Sequence, residues 1–410
     1  MKKRILVITE YFPPRLGADR RIFELMKRLS DKYNIHFVTL PPSYVLFIRK
    51  INSCNEERDQ VFYEGIMGHS LRLPRPIHKL WTKSFVFAFA VTLSYLCFQT
   101  MKKMVQLKPD IVIINNTSVY TGLLGFICSK IMNKKLIVEY NDLQALYTIE
   151  LVRKKVNKLL LPILGRILIL TEDIIVRHGW KVTAITSFIK NYASARKTRK
   201  DIILIPDGVD TDLFNPTNIS GVDIRLKFGV NNKQKLCVYA GRIEECAGAE
   251  IILNTARLLK DEEGIKFMVV GEGDTQIVSQ LSKCKNVILT GPISKEAVPQ
   301  YLASADVVLV PFPSNIASHS ISPLKLFEAL AMEKPVVASA VSGIKEVVCQ
   351  TSNVVLASAD PTHWASAIME LVKNSDKMAR QRGNSRKIMC GKYDWNHLAE
   401  EFSKIMEDRI

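Results

Sequence analysis

Residues 307–339 hold the pattern that decides the fold: Val307-Val308-Leu309-Val310, then Ser320-Ile321-Ser322-Pro323-Leu324-Lys325-Leu326-Phe327-Glu328-Ala329-Leu330-Ala331, then Val336-Val337-Ala338. A short β-branched run, a segment with helical spacing and a second β-branched run make one β–α–β unit. Both runs are continuously apolar, as strands covered on two faces of a parallel sheet must be. Ser322 reads as the helix N-cap, with Pro323 in the first turn, where its missing N–H is no loss.

The same alternation extends in both directions. The second half offers strands at Leu236–Ala240, Lys266–Val270, Val287–Leu289, Val307–Val310, Val336–Ala338 and Val354–Leu356. The first half offers Ile5–Ile8, Ile35–Thr39, Ile111–Ile114, Leu136–Glu139, Val182–Ile185 and Ile202–Ile205. Right-handed β–α–β units in two series predict an α/β chain with two Rossmann-like domains, each a doubly wound parallel sheet. The boundary is expected within Ala193–Gly221, which runs from Arg196-Lys197-Thr198-Arg199-Lys200 to the turn residues Asp207-Gly208 and Asn215-Pro216. We place the first domain at 1–199 and the second at 200–385.

A chain of 410 residues with 47% apolar and 24% charged residues is a folded globular one. It lacks the several runs of roughly 20 apolar residues that a polytopic membrane protein needs. Net charge is +17, and it is uneven: +20 over residues 1–200 and −3 over 201–410. The first half is therefore expected to meet something anionic. Eight scattered cysteines without a C-x-x-C pair read as ordinary thiols in a reducing compartment, and no histidine spacing suggests a metal. The charged start and four-residue apolar run of Met1–Glu10 read as a first buried strand, not a leader, so a cytoplasmic chain is expected.

Several strand ends carry residues suited to an anionic ligand. Gly17 stands between the first strand and the first helix, where backbone N–H groups approach an anion; the alternative is a tight turn. No G-x-G-x-x-G accompanies it. Gly241-Arg242 and Gly271 end two strands of the second series on the usual ligand edge. Arg242 is placed to clamp phosphate oxygens, and the helix start at Pro323–Lys325 to receive a diphosphate. Glu328 is placed to accept from ribose hydroxyls; the alternative is a surface pair with Lys325. Asn115 and Asn116 follow Ile111–Ile114 at a strand end, as site candidates or strand-end caps. His319 reads as a loop residue beside Ser320.

Taken together, these blocks resemble the retaining glycosyltransferases of the GT-B fold, in the large family-four group. The matching segments are Tyr11–Gly17, Ile205–Phe214, Gly241-Arg242, Val270–Gly273, Pro323–Ala331, Lys334–Ser339 and Tyr393-Asp394-Trp395, in order along nearly the whole chain. The resemblance implies two domains facing across a cleft, with residues 386–410 crossing back to the first. It implies transfer of a sugar, with retained anomeric configuration, from a nucleoside diphosphate donor that is UDP- or GDP-linked. Arg242 and Gly241 would hold the diphosphate with the Pro323, Leu324 and Lys325 backbone, Glu328 the ribose and Ile293 the base. Gly17 would approach the donor from the first domain, and Asp142, beyond Leu136–Glu139, would lie near the donor sugar. The family generally needs neither metal nor cofactor, and Asp210-Thr211-Asp212 reads as turn structure despite its D-x-D form.

Two departures stand out. The family's usual lysine five residues after the arginine is Ala247 here, and its usual glutamate eight residues before Glu328 is Ser320. We expect Lys325 to supply the missing cation. The alternative is a degenerate protein of the same fold that binds nucleotide without turnover and serves as a partner subunit. A nucleic-acid binder has the charge but no recognised motif, and its charge lies on the half without Arg242.

Ser84–Met101 is an uncharged stretch of 18 residues flanked by Lys79, Lys83, Lys102 and Lys103. It is expected to be a buried or interfacial helix, because it falls between two strands of one sheet. Arg153-Lys154-Lys155 and Lys158 precede the apolar Leu159–Leu170 segment. Together with the +20 half they suggest peripheral contact with the inner face of an anionic membrane and a saccharide or lipid-linked acceptor. Specificity loops such as Pro41–Glu64 give no code.

Overall fold

The computed structural model describes residues 2–15, 17–41, 60–74, 77, 85–153, 158, 160–349, 351, 353–373 and 382–408. Most of the Pro41–Glu64 loop, Leu16, Cys54, Lys79, Lys83, Ser84, Lys154, Lys155 and Leu159 lie outside the described residues. Two compact units make up the chain: Met1–Pro206 with Leu398–Ile410, and Asp207–His397.

The first unit is built on an eight-stranded sheet. Its strands are β1 (Arg4–Thr9), β2 (Asn34–Thr39), β3 (Gln60–Tyr63), β4 (Ile66–Ser70), β5 (Ile111–Asn115), β6 (Lys135–Tyr140), β7 (Lys181–Ala184) and β8 (Ile203–Leu204). The order is β3-β4-β2-β1-β5-β6-β7-β8, parallel except for β3 against β4. Ile5 pairs with both Ile35 and Ile111, so β1 sits centrally and is apolar throughout its interior. Right-handed crossovers toward β5, β6 and β7 place helices Phe85–Leu107, Thr121–Ile131 and Leu161–His178 on one face. Leu96, Leu124 and Ile175 from those helices share a core with Leu6 and Ile8. The return from β1 to β2 runs the other way and places helix Gly17–Leu29 on the opposite face.

The expected helix over Ser84–Met101 thus covers the sheet, burying Ala88, Leu96, Cys97 and Met104. Among the described residues no helix is long and apolar enough to cross a membrane. The β3–β4 hairpin was not expected. It turns through Glu64 at φ 44° and Gly65 at φ 82°, a two-residue turn of the kind that matches strand twist. Its half-exposed edge strand lacks the continuous apolar run that marked the other strands.

β8 pairs with β7 and so belongs to the first unit, which moves the boundary to Pro206 from the expected 199. At the other end, helix Arg382–Lys392 packs on helix Leu324–Ala331 within the second unit. Arg386 donates to Ala331 O at 2.9 Å and Phe214 O at 2.7 Å. Only Leu398–Ile410 joins the first unit, where Tyr33 Oη lies 2.9 Å from both Ser403 and Glu407.

The second unit is a six-stranded parallel sheet: β9 (Lys235–Ala240), β10 (Ile265–Val270), β11 (Val287–Gly291), β12 (Val307–Val310), β13 (Val336–Ser339) and β14 (Val354–Ala357). The order β11-β10-β9-β12-β13-β14 reverses direction between β9 and β12. Open α/β sheets bind ligands at the carboxyl end of such a switch point.

Candidate functional site

At that end of the second sheet, two glycine turns lie against each other. Gly241 N donates to Val270 O at 2.9 Å, and Ile243 N to Glu272 O at 2.9 Å. A Cβ on Gly271, at φ 136°, would stand 2.0 Å from Gly241 O. Any side chain there would force the turns apart.

Beside them begins helix Leu324–Ala331. Pro323 is its N-cap at φ −79°, ψ 119°, and no side chain caps the first turn. This corrects the expectation that Ser322 is the cap. A proline's fixed φ suits a residue that is still extended as well as one already helical, and here ψ keeps Pro323 outside the helix. Ser322 Oγ is buried and has no hydrogen-bond partner. A buried hydroxyl with nothing to bond, beside uncapped N–H groups, is an arrangement that suits a polar ligand.

Lys325, the second residue of that helix, reaches back to the strand ends. Its Nζ donates to Tyr239 Oη at 3.2 Å and lies 4.3 Å from the Tyr239 ring centre and 4.8 Å from that of Phe312. Tyr239 Oη in turn donates to Arg242 O at 2.5 Å. A Cβ on Gly241 would come within 3.4 Å of the lysine nitrogen. Burial between the rings pulls the ammonium down to about 7, against the opposing pull of Glu328. Arg242 is half-exposed and held by Glu244, its Nε donating at 2.9 Å.

Residues 234–374 match the family described as Glycosyl transferases group 1. This segment is similar to the group 1 glycosyl transferases. Sucrose-phosphate synthase from Thermosynechococcus elongatus shares the fold at a TM-score of 0.75 and 18% identity, over 99% of each chain. HepE from Anabaena, solved in complex with UDP-glucose, does so at 0.72 and 15%, again over 99% of each. The fold is GT-B. Among curated relatives, D-inositol 3-phosphate glycosyltransferase of Segniliparus rotundus is 25% identical over 68% of this chain and 62% of its own. The chain spans about half to three-fifths of the length of the first such relatives.

Within the matched segment, Gly241, Arg242, Gly271, Pro323, Leu324, Lys325 and Glu328 gather at one sheet edge. Ala247 closes a short 3-10 turn after Glu244. Ser320 is buried and donates to Ala317 O at 2.7 Å, back onto its own helix. Ile293 is half-buried against the core below the β11 end. His319 is on helix Ile316–Ser320, not in a loop, and Ser342 N donates to its Nδ1 at 3.3 Å. That bond leaves the proton of a neutral ring on Nε2. Asp210–Asp212 forms a turn, with Leu213 N donating to Asp210 at 3.0 Å and Thr211 Oγ1 to Asp394 at 2.6 Å. Among the described residues no cluster of His, Cys, Asp and Glu could hold a metal ion.

The first unit has its own polar strand-end network. Asn116 adopts φ 84°, in the left-handed region that asparagine tolerates, and its Nδ2 donates to Asp142 at 3.1 Å. The two candidates therefore meet. Asn115 points elsewhere: it donates to Thr9 Oγ1 at 2.8 Å and accepts from Asn141 at 2.9 Å, a buried tie between strands. Gly17 opens its helix with nothing within 4 Å of where a Cβ would stand. Asp19 is buried in that first turn and accepts from Thr9 at 2.5 Å, so a carboxylate already occupies the field that an anion would seek.

Two buried carboxylates escaped the sequence reading. Glu172 accepts from Tyr140 Oη at 2.7 Å, Thr117 Oγ1 at 3.0 Å and Ala145 N at 3.1 Å. It thereby clamps the two segments that carry Asn116 and Asp142, and burial pushes its pKa up. Glu139 pairs with Arg21 at 2.9 Å and accepts from Thr183 Oγ1 at 2.6 Å. Their only signal is an acidic residue inside an apolar strand or helix.

Proposed function

We propose that this chain is a metal-independent glycosyltransferase that moves a sugar from a nucleoside diphosphate sugar, UDP- or GDP-linked, to a saccharide or lipid-linked acceptor, with retained anomeric configuration. The observation that carries the reading is the placement of Lys325. Its ammonium, the uncapped start of helix Leu324–Ala331 and the unpartnered Ser322 hydroxyl stand together beside the Gly241 turn.

A diphosphate is the ligand that uses all of these. Backbone N–H groups and the helix dipole favour its charge, and Lys325 and Arg242 pair with its oxygens. An arriving diphosphate would take Arg242 from Glu244 and raise the Lys325 pKa again. Lys325 thus stands in for the lysine that Ala247 lacks. Glu328 would receive the ribose hydroxyls. As the bond from the anomeric carbon to the diphosphate breaks, negative charge grows on the leaving oxygen, and these same groups stabilise it. Asp142, fixed by Asn116, is a polar strand-end group of the first unit. The similarity of residues 234–374 to the group 1 glycosyl transferases and the UDP-glucose held by the Anabaena protein support this reading.

Incubation with UDP- and GDP-sugars, followed by nuclear magnetic resonance for released nucleotide and product anomer, tests it. Nucleoside diphosphate release with an anomer matching the donor is expected. Tight nucleotide binding with no release from any donor would favour the partner-subunit reading instead.

A further inference from the structure

One face of the first unit is built against the usual rule for a water-exposed helix layer. Along Leu161–His178, Ile163, Ile167, Leu170 and Ile174 follow one another at steps of four, three and four, and all are exposed. The opposite side of the same helix, with Leu168, Glu172, Ile175 and Val176, is buried on the sheet. The helix is therefore apolar on both sides, whereas a surface helix turns polar residues outward. Its neighbours continue the pattern. Helix Thr121–Ile131 packs against both Leu161–His178 and Phe85–Leu107. Ile131 is 65% exposed, and Phe98 and Val105, seven residues apart on the third helix, are each 62% exposed. Counting Leu160, this layer holds eight of the fifteen exposed large apolar side chains among the described residues. That concentration marks an interaction surface.

The charges on the layer have one sign. The three helices carry Lys102, Lys103, Lys130, Arg166 and Arg177 against two carboxylates. Glu172 is buried in its clamp, and Asp173 is paired with Arg196. What reaches the surface is apolar side chains among cations. Two copies meeting through this face would bring cation against cation, which argues against self-association. None of the described helices suits a transmembrane span.

We propose that this layer docks on the surface of an anionic lipid bilayer. Ile163, Ile167, Leu170 and Ile174 enter the boundary between headgroups and acyl chains, and Arg166, Arg177, Lys102 and Lys130 meet the lipid phosphates. The inner side of the docking helix carries Glu172, so the surface that meets lipid backs directly onto the segments holding Asn116 and Asp142.

Flotation of the full chain with vesicles of phosphatidylcholine, alone or mixed with phosphatidylglycerol, tests this. The parent is expected to float with the mixed vesicles and to lose that partition at high salt. The triple variant Ile163→Gln, Ile167→Gln, Leu170→Gln and the pair Arg166→Glu, Arg177→Glu should each lower partition by about tenfold or more. Because these side chains are exposed, the thermal midpoint and nucleotide binding should stay at the parent's values, which separates failure here from failure of the glycosyltransferase reading. No flotation by the parent, equal flotation on neutral vesicles, or variants that float like the parent would overturn the proposal. So would a parent dimer in sedimentation that the triple variant dissociates, since a second copy would then be the occupant.

Discussion

The ammonium of Lys325 lies 3.2 Å from the phenol oxygen of Tyr239, on a different element, and 4.3 Å from the centre of that ring. The contact joins a helix start to a strand end across 86 residues of sequence. It places a cation beside the Gly241 turn, and the same burial weakens that cation's hold on its proton.

Lys325 should therefore leave a signature in stability against pH. Its pKa falls from 10.5 in the unfolded chain to about 7 in the folded one. Between those values the unfolded chain binds more protons, so this group makes stability rise as pH rises through that window. Lys325→Met should remove that slope. Urea unfolding of parent and variant at about pH 7 and about pH 9.5 checks it: the variant's advantage should be larger at the lower pH. Equal pH slopes in the two proteins would contradict the assigned burial.

Gly271→Ala should be severe. The new Cβ meets Gly241 O at 2.0 Å in a left-handed backbone. A loss of about 2–4 kcal/mol is expected in denaturant unfolding, with loss of nucleotide binding because both turns move. A variant of parental stability would show that the turns are not in contact.

Ser322→Ala separates stability from ligand. The hydroxyl is buried and unpartnered, so its removal should stabilise the free protein by about 1 kcal/mol. If a diphosphate sugar uses that hydroxyl, nucleotide affinity should fall at the same time. Thermal unfolding with and without nucleotide measures both, and a destabilised apo protein would refute the first half.

Glu172→Ala should leave the donors from Tyr140, Thr117 and Ala145 without an acceptor. About 3 kcal/mol or more is expected to be lost, together with transfer activity, as the Asn116 and Asp142 segments loosen. Chemical denaturation and turnover assays report the two effects. An unchanged denaturation midpoint would mean that the clamp is not formed.

Much of the fold was legible because the strands are buried on both faces. Continuous apolar runs as short as Ile111–Ile114 and Val336–Ala338 suit a strand covered from two sides and little else. The β3–β4 hairpin was not legible, because a half-exposed edge strand needs no continuous apolar run. Glu64-Gly65 was its one local signal. At the candidate site, the sequence placed Gly241, Gly271, Lys325 and Glu328 together at one sheet edge, where the fold also has them. It did not show that Lys325 reaches Tyr239, since contacts between distant residues leave no local pattern. It also offered Asn115 and Asn116 as equals. Only the positive φ of Asn116 separates them, sending one amide to Asp142 and leaving the other as a tie between strands.

The central claim is that Lys325 and Arg242 together hold a nucleoside diphosphate. Calorimetric titration of UDP and GDP, without metal, into the parent, Lys325→Met and Arg242→Ala tests it most directly. The parent should bind one of the two, and each variant should bind it about tenfold or more weakly without a lowered thermal midpoint. A Lys325→Met protein that binds as tightly as the parent, or a parent that binds neither nucleotide, would contradict the account.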